Sequence, residues 1–376
     1  MKITKKVLTA MIATSMAATA LPVVAMTGGI SVSATSNNST NLASTSSNTE
    51  TTTEEQLEEN RKSVVKTISN TSIMNTPSPE SWFCTEDVAG GVAITGFNLH
   101  EQFVPSDSDV SSAEMHSFYY IVIPSTINGK KVIAIKNNNA NRGCSMPGSS
   151  YIASLDLSRC ESISVDAYAF GKNTLLKKIV LPNNISVGEF AFADSSLYGS
   201  MILPAYSSIS NHAFANCTGI TSVKATNSSI GDSAFDGCAN ITSVDIQNSS
   251  IGDSNFADCS KLTSIKLLGC TSVGNNAFYR CSGNFESIDL SNCTSIGDNA
   301  FNGCTGIIDS IDLSNCTTIG DNAFNGCSGI TGSIDLSKCT SVGDQAFAGC
   351  SNIRTIDLPD CTSVGNQAFS GCSHLS

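Results

Sequence analysis

The sequence has few of the side chains on which catalysis usually depends. Only 4 of its 376 residues are His, aromatic residues make up 6% with a single Trp, and charged residues make up 14%. The cysteines form no C-x-x-C pair and the histidines are scattered, so the residue patterns of a zinc site are missing. We therefore expect no metal, no cofactor and no enzyme chemistry.

Long apolar runs are also scarce. Residues 2–6 contain three lysines, and residues 7–25 are an apolar stretch. This order predicts a signal peptide (residues 1–25) cleaved after Ala25, or at a second site after Ala34, with an uncleaved membrane anchor as the less favoured alternative. No later segment approaches the roughly 18–20 apolar residues that span a bilayer. We expect a secreted, extracellular protein, associated with the cell surface, with no transmembrane segment after the signal peptide.

The charge balance narrows the range of partners. The chain has 20 basic and 32 acidic residues, a net charge of −12 that falls to about −15 without residues 1–25. Such a surface repels nucleic acid and anionic lipid, because both are negatively charged. Basic or neutral proteins, glycans and cations are the partners that this charge favours.

The composition changes along the chain and predicts five segments. Residues 1–25 are the signal peptide, and residues 26–55 are rich in Ser, Thr and Asn, which predicts a flexible tether. Residues 56–80 are predicted to be a helix and linker. Residues 81–150 are predicted to be a capping segment with a hairpin and a divergent first repeat. Residues 151–376 contain about ten repeats.

Phenylalanine recurs through this last segment every 21 to 23 residues, and most copies are followed three residues later by Cys. A fixed period in the twenties is typical of one supersecondary unit stacked on copies of itself. We expect a structural core built from Phe256, Phe278, Phe301, Phe324, Phe347 and Phe369 together with Cys281, Cys304, Cys327 and Cys350.

One unit, residues 353–372, shows the pattern in detail. Its apolar residues fit the leucine-rich-repeat spacing L-x-x-L-x-L-x-x-C. Residues 355–358 alternate polar and apolar and predict a short strand with Ile356 and Leu358 facing inward. Gly365 allows a turn, and residues 367–372 are predicted to be a helical turn. The fold class is therefore a repeat solenoid with short parallel strands on one face and short helical turns or irregular coil on the other.

Two recurring sequence motifs identify the type of leucine-rich repeat more specifically. Residues 296–304 read IGDNAFNGC and residues 310–316 read SIDLSNC. They resemble the BspA-type (Treponema-type) leucine-rich repeats, over about residues 152–375. Residues 90–97 and 121–132 resemble the segment that leads into such arrays. The resemblance implies a secreted or surface-attached bacterial protein used in adhesion or in binding host or neighbouring-cell molecules.

Of the 16 cysteines, 13 form two periodic series. One follows each Phe by three residues, and the second precedes a Phe by eight and comprises Cys270, Cys293, Cys316, Cys339 and Cys361. Equivalent side chains in stacked units point in parallel, so we expect rows of buried free thiols, which behave as small hydrophobes. Disulfides are the alternative, as in many exported proteins.

The outward side chains of the strands form the candidate binding face. They comprise Lys224, Asp245, Lys266, Asp289, Asp312, Asp335 and Asp357, with the neighbours Ser287, Ser310, Ser333 and Thr355. Adjacent like charges destabilise a sheet, so this acidic row is interpreted as kept for a partner or a cation. The alternative is simply the solvated polar face of a repeated unit.

A second acidic row lies three residues before the phenylalanines: Asp232, Asp253, Asp298, Asp321 and Asp344. Its short side chains are predicted to cap the turn that follows, rather than to bind calcium. His212 and His374 are interpreted as exposed polar residues.

Three functions remain. The first is a binding or adhesion protein that recognises a protein or glycan through the strand face. The second is a structural surface or matrix protein that self-associates through repeat edges, including an uncapped edge near Leu375. The third and least favoured is an enzyme in residues 81–150 that uses Cys84 with His100 or His116.

Overall fold

A computed structural model describes residues 76–99, 119–138, 146–283, 285, 287–308 and 310–376, together with Ala25–Met26 and Gly29–Ile30. The predicted tether, most of the signal peptide, most of residues 56–80, His100, His116 and Cys144 lie outside the described residues. The chain divides into two compact units, Met1–Pro79 with His100–Ala113, and Glu80–Leu99 with Glu114–Ser376. The described part of the first unit contains two short strands, and the second unit contains all the others.

The strands are short, and most are parallel. In chain order they are β1 (Ala25–Met26), β2 (Gly29–Ile30), β3 (Phe83–Val88), β4 (Gly91–Phe97), β5 (Tyr119–Val122), β6 (Thr126–Ile127), β7 (Lys130–Ile135), β8 (Ile152–Asp156), β9 (Ile163–Val165), β10 (Lys178–Val180), β11 (Ile185–Val187), β12 (Tyr198–Ile202), β13 (Ser208–Ile209), β14 (Gly219–Thr226), β15 (Ser229–Ile230), β16 (Ser243–Gln247), β17 (Ser264–Lys266), β18 (Ser272–Val273), β19 (Ser287–Asp289), β20 (Ser295–Ile296), β21 (Thr318–Ile319), β22 (Gly332–Asp335), β23 (Ser341–Val342), β24 (Ile353–Asp357) and β25 (Ser363–Val364). Two 3-10 turns, Glu80–Trp82 and Ser149–Tyr151, are the helical elements of the described residues.

The strands of the second unit form two stacks, because each coil of the solenoid contributes two strands. The front ladder contains β5, β8 and β10, then β12, β14, β16, β17 and β19, and then β22 and β24. The rear ladder contains β4, β7, β9, β11, β13 and β15, followed by β18, β20, β21, β23 and β25. Coil-to-coil pairing within both ladders is parallel, and antiparallel β3 joins β4 at the start. The predicted solenoid with parallel strands is confirmed.

The rear ladder was not predicted from the sequence. The prediction of a helical turn over residues 367–372 was wrong. The segment around each Phe is a chain of turns in which two residues are left-handed, such as Asn299 with φ of 55° and Gly303 with φ of 77°. Asn and Gly tolerate this conformation better than most residues do. The backbone N–H groups of Asn299 and Phe301 donate to carbonyls of the next coil at 2.7 and 2.8 Å. An α-helix would direct these groups back along its own axis, so it is incompatible with this bonding between coils.

The core is a continuous column of aromatic rings. Nine phenylalanines, one from each coil between Phe170 and Phe347, are fully buried, and successive rings from Phe278 to Phe347 stack with centroids 5.2 Å apart. The ring of Phe369, in the last coil, stacks on Phe347 but is only partly buried. Each buried ring contributes roughly 1.5–3 kcal/mol through the hydrophobic effect, and the aliphatic side chains packed around the column add to the cohesion between coils.

The cysteines line this column as free thiols. All 15 cysteines among the described residues are free, and 12 of them are buried. In the first series each S–H group donates to the carbonyl of the preceding coil's Phe, as in Cys304 to Phe278 at 3.0 Å and Cys327 to Phe301 at 3.1 Å. Burial raises the pKa of the second-series thiols Cys293 and Cys316 to about 12. The structure therefore places the cysteines of the repeats in rows of free thiols.

None of the helical elements in the described part of the chain combines the length and the apolar character that a membrane crossing requires.

Candidate functional site

The front ladder directs one side chain row of each coil outward. Lys224, Asp245, Lys266 and Asp289 stand in register on four consecutive strands, β14 to β19. Asp335 pairs with Asp357 in the same way on β22 and β24. The structure therefore brings most of the predicted row together, with lysine and aspartate alternating in its first half.

Aspartate predominates in the last coils. Asp312, Asp335 and Asp357 are exposed, and Asp289 is half-buried, although Asp312 lies outside the described strands. Residues 285–376 contain ten acidic side chains and only two basic ones, Lys338 and Arg354. The net charge of this segment, counted over all of its surfaces, is −8, and its front-face row consists only of aspartates.

The neighbouring hydroxyl row is also exposed. Ser310, Ser333 and Thr355 are exposed, and Ser287 stands in register with Ser264. Hydroxyls of this row bond to one another between coils, as in Thr355 to Ser333 at 2.6 Å. The front face therefore offers a partner closely spaced hydroxyls beside carboxylates.

The carboxylates of the front face are held by the turn that follows each strand. Asp289 accepts hydrogen bonds from both the N–H and the hydroxyl of Ser291, at 3.1 and 2.7 Å. The carboxylate of Asp312 accepts the same pair from Ser314. The hydrogen bonds from Ser337 lower the pKa of Asp335. These are Asx turns, a local structural role that fixes each carboxylate in one orientation.

The second acidic row links neighbouring coils, a role that the sequence did not predict. Its side chains do not cap their own turn; each accepts a hydrogen bond from the backbone N–H of the equivalent residue in the next coil. Asp298 accepts from Asp321 at 2.8 Å, and Asp321 accepts from Asp344 at 2.7 Å. The full row is Asn211, Asp232, Asp253, Asn275, Asp298, Asp321, Asp344 and Asn366.

This intercoil row explains the glycine that precedes every member except Asn211. A Cβ atom on Gly320 would lie 2.4 Å from Oδ1 of Asp298 and 2.6 Å from its backbone nitrogen. Real Cβ atoms do not come so close to other heavy atoms. The glycine of the Ile-Gly-Asp motif is therefore required by the close packing between coils.

Replacement of Asp321 by alanine is expected to lower the free energy of unfolding by about 1–2 kcal/mol, because the N–H of Asp344 loses a charged acceptor. Asp321→Asn keeps an acceptor oxygen in the same place, as Asn275 does in its own coil. This variant is expected to change the free energy of unfolding by less than about 0.5 kcal/mol. Chemical denaturation with calcium or with a chelator measures both variants. An asparagine variant as unstable as the alanine variant, or stabilisation by calcium, would favour the cation interpretation instead.

The remaining candidates for chemistry do not assemble into a site within the described residues. Cys84 is half-exposed and donates to Oδ1 of Asn98 at 3.1 Å, whereas His100 and His116 lie outside the described residues. His212 lies in a turn, is half-buried and stacks on Phe190 with ring centroids 4.5 Å apart. In the part of the chain that the structure describes, no group of three or more His, Cys, Asp or Glu could hold a metal ion.

The family is shown by a match that spans most of the solenoid. The description "BspA type Leucine rich repeat region (6 copies)" matches residues 102–221, 148–250, 186–308 and 249–376. The chain belongs to this family. The BspA-type repeats account for both ladders and the Phe column. None of the curated proteins compared with the chain matches it.

Solved structures of bacterial leucine-rich repeat proteins are similar to the BspA-type solenoid. A leucine-rich repeat protein from Bacteroides ovatus is 18% identical, over 78% of this chain and 92% of that chain, with a TM-score of 0.35. A leucine rich cell surface protein from Faecalibacterium prausnitzii is 15% identical, over 82% of this chain and 94% of that chain, with a TM-score of 0.30. A leucine-rich repeat protein from T. pallidum is 18% identical, over 80% and 91% of the two chains, with a TM-score of 0.21. Similarity this low carries no argument about function.

Proposed function

We propose that the chain is an exported binding protein that recognises a protein or glycan at or outside a bacterial cell surface through its front ladder. The observation that carries this proposal is the exposed row of Asp, Lys, Ser and Thr side chains, held in register along consecutive strands. Export is supported by the lysine-rich start and the apolar stretch that follows it in residues 1–25.

The chemistry of the face favours a basic or hydroxyl-rich partner. Its carboxylates are oriented by Asx turns, so they need little further ordering when a ligand binds. Hydroxyl groups at neighbouring positions add donors and acceptors beside the charges. The concentration of acidic residues in 285–376 makes this end the stronger attractor for cationic groups.

The test compares two variants that remove the same charge from different surfaces. Asp289, Asp312 and Asp335 are changed together to Asn, which keeps the acceptors of the Asx turns. In the matched control, Asp298, Asp321 and Asp344 are changed to Asn, which keeps the acceptors of the intercoil row. Binding to immobilised mucin, matrix proteins and bacterial wall fractions is measured at low and moderate salt.

The front-face variant is expected to bind at least about tenfold more weakly than the wild type, with a smaller salt dependence. The control is expected to lose much less affinity, since it changes only the long-range field. Equal losses would mean that net charge alone is responsible, and an unchanged affinity in both variants would rule out the acidic row as a contact surface.

Self-association through repeat edges is the alternative function, and the same samples test it. Sedimentation velocity over a range of protein concentrations is expected to show one monomeric species. Concentration-dependent oligomers, with no saturable binding to any of the surfaces, would favour a structural role over recognition of a separate partner.

A further inference from the structure

The front ladder is interrupted between β10 and β12, although both strands are fully described. β10 pairs with β8 on one side and β12 pairs with β14 on the other, but they do not pair with each other. Their coils are joined on this face by one bond, from Tyr198 N–H to the Lys177 carbonyl at 3.2 Å. The rear ladder continues without interruption at the same level, through β11 and β13.

An extra residue lies beside the interruption. Ile179 follows the inward Leu176 by three residues, whereas Met201 follows Leu197 by four in the next coil. The additional residue is accommodated at Gly199, where φ is +87° and the register of β12 against β14 shifts. A bulge of this kind bends a strand locally, and at this level β12 pairs with β14 and not with β10.

The separation leaves backbone groups on two facing strand edges without their usual partners. In the coil before, Leu157 N–H donates to the Val180 carbonyl at 2.9 Å, and in the coil after, Leu203 N–H donates to Lys224 at 2.8 Å. The corresponding bond from Leu181 to Ile202 is missing, although both residues are described. Such edges are where an added strand binds.

The side chains at this place differ in chemistry from the rest of the front face. Val180 and Ile202 stand in the row where every coil from Lys224 to Asp357 has Asp or Lys. Ile202 is 63% exposed and Tyr198 is 53% exposed. They line a groove of about 660 Å³ between the two strands, which we name the strand gap (residues 178–183 and 197–204).

A lysine gives the strand gap a charge. Lys178 lines the groove at a position where the next coils have Ser, and Lys177 precedes it. Within the described residues, no carboxylate lies within ion-pair distance of the Lys178 ammonium. In an acidic protein, this site therefore complements a ligand that combines apolar side chains with a carboxylate.

We propose that the strand gap binds an extended peptide segment of a partner protein, which pairs with the free strand edges. Alternate apolar side chains of the peptide lie against Ile202 and Tyr198, and an acidic side chain reaches Lys178. The proposal deepens the binding role proposed above, on which it rests, by adding a partner class and a second contact region.

The experiment uses the full chain and a displayed library of random dodecapeptides. The enriched sequences are expected to alternate apolar residues and to include Asp or Glu. A synthetic peptide of that sequence is then titrated by fluorescence anisotropy against wild type, Ile202→Glu and Lys178→Glu. The matched control is Leu268→Glu, since Leu268 is 55% exposed but lies outside the groove.

Both groove variants are expected to weaken binding at least about tenfold, and the control is expected to stay within about twofold. Methylation of alternate backbone nitrogens in the peptide is expected to abolish binding, because strand pairing needs those N–H groups. Circular dichroism confirms that the exposed substitutions leave the fold intact.

No enrichment above the starting library, an equal loss in Leu268→Glu, or full binding by the methylated peptide would each overturn the proposal. The Asn substitutions at Asp289, Asp312 and Asp335 separate the two contact regions. Peptide binding that survives them, while mucin or wall binding is lost, assigns the two ligands to different parts of the front ladder. If Ile202→Glu and Lys178→Glu leave peptide binding unchanged while the Asn substitutions still weaken mucin or wall binding, the strand gap is excluded as a binding site and the proposed function stands.

Discussion

An increase from about pH 8 to about pH 10 is expected to unfold the protein, because its buried thiols would ionise in the unfolded chain. Burial raises the pKa of Cys217 to about 11 and that of Cys350 to about 12, from an ordinary value of 9.0. A thiol with a raised pKa in the folded state stabilises fully below its unfolded pKa. That stabilisation is lost as the pH rises towards the folded pKa.

The number of thiols makes this effect large. Twelve of the described cysteines are buried, and each is worth up to about 1.4 kcal/mol per pH unit between its two pKa values. Together they give an upper limit of roughly 17 kcal/mol per pH unit above about pH 9, whereas a typical folded domain is stable by about 5–15 kcal/mol in total.

Urea denaturation at several pH values measures the slope of stability against pH. A variant with Cys281, Cys304, Cys327 and Cys350 changed to Ala has four fewer buried thiols, so its slope should fall by about a third. Mass spectrometry after alkylation in denaturant counts the free thiols in the same samples. A flat stability between about pH 8 and about pH 10, or a mass deficit from disulfides, would contradict the thiol rows.

Replacement of Phe301 by alanine is expected to lower the free energy of unfolding by about 3–5 kcal/mol. Its ring is fully buried and stacks on Phe278 and Phe324 at 5.2 Å, so its removal leaves a cavity that faces two neighbouring coils. Phe301→Leu fills part of that cavity and should cost less. Calorimetric unfolding measures all of these variants.

Phe369→Ala is the matched control, because the same ring in the last coil is only partly buried and has one aromatic neighbour in the column. It should cost less than half as much as Phe301→Ala. Equal costs at the two positions would show that the column does not act through burial between coils.

The sequence predicted the coil but only one of its two ladders. The 21- to 23-residue spacing of Phe and the alternation in residues 355–358 each reflect burial, so they are visible as apolar periodicity. From β13 onward the rear strands, such as β21 (Thr318–Ile319), are only two residues long, too short to show an alternating pattern. The sequence predicts a helical turn over residues 367–372, because the left-handed Gln367 and Gly371 leave no apolar pattern.

The register of the outward row could be predicted from the sequence, but its hydrogen bonds could not. The outward row from Lys224 to Asp357 follows from strand alternation. The intercoil bonds of Asp298 and Asp321 were missed, since their partners are 23 residues away and are brought close only by stacking. The strand gap lies beside one inserted residue, Gly199, whose effect on pairing is not a local property of the sequence.

The hydrogen bonds between coils also affect how the number of repeats can change during evolution. Residues 287–309 and 310–332 are identical at 19 of 23 positions. Asp298 presents to the following coil the same oxygen that Asp321 presents to its own successor, and Cys304 and Cys327 each bond the Phe one coil back. Unequal recombination between such near-identical stretches of coding DNA would add or remove one whole coil. The intercoil bonds of the Asp and Cys positions would form again at the new junction, so the gene for such an array can gain or lose one coil and keep these bonds.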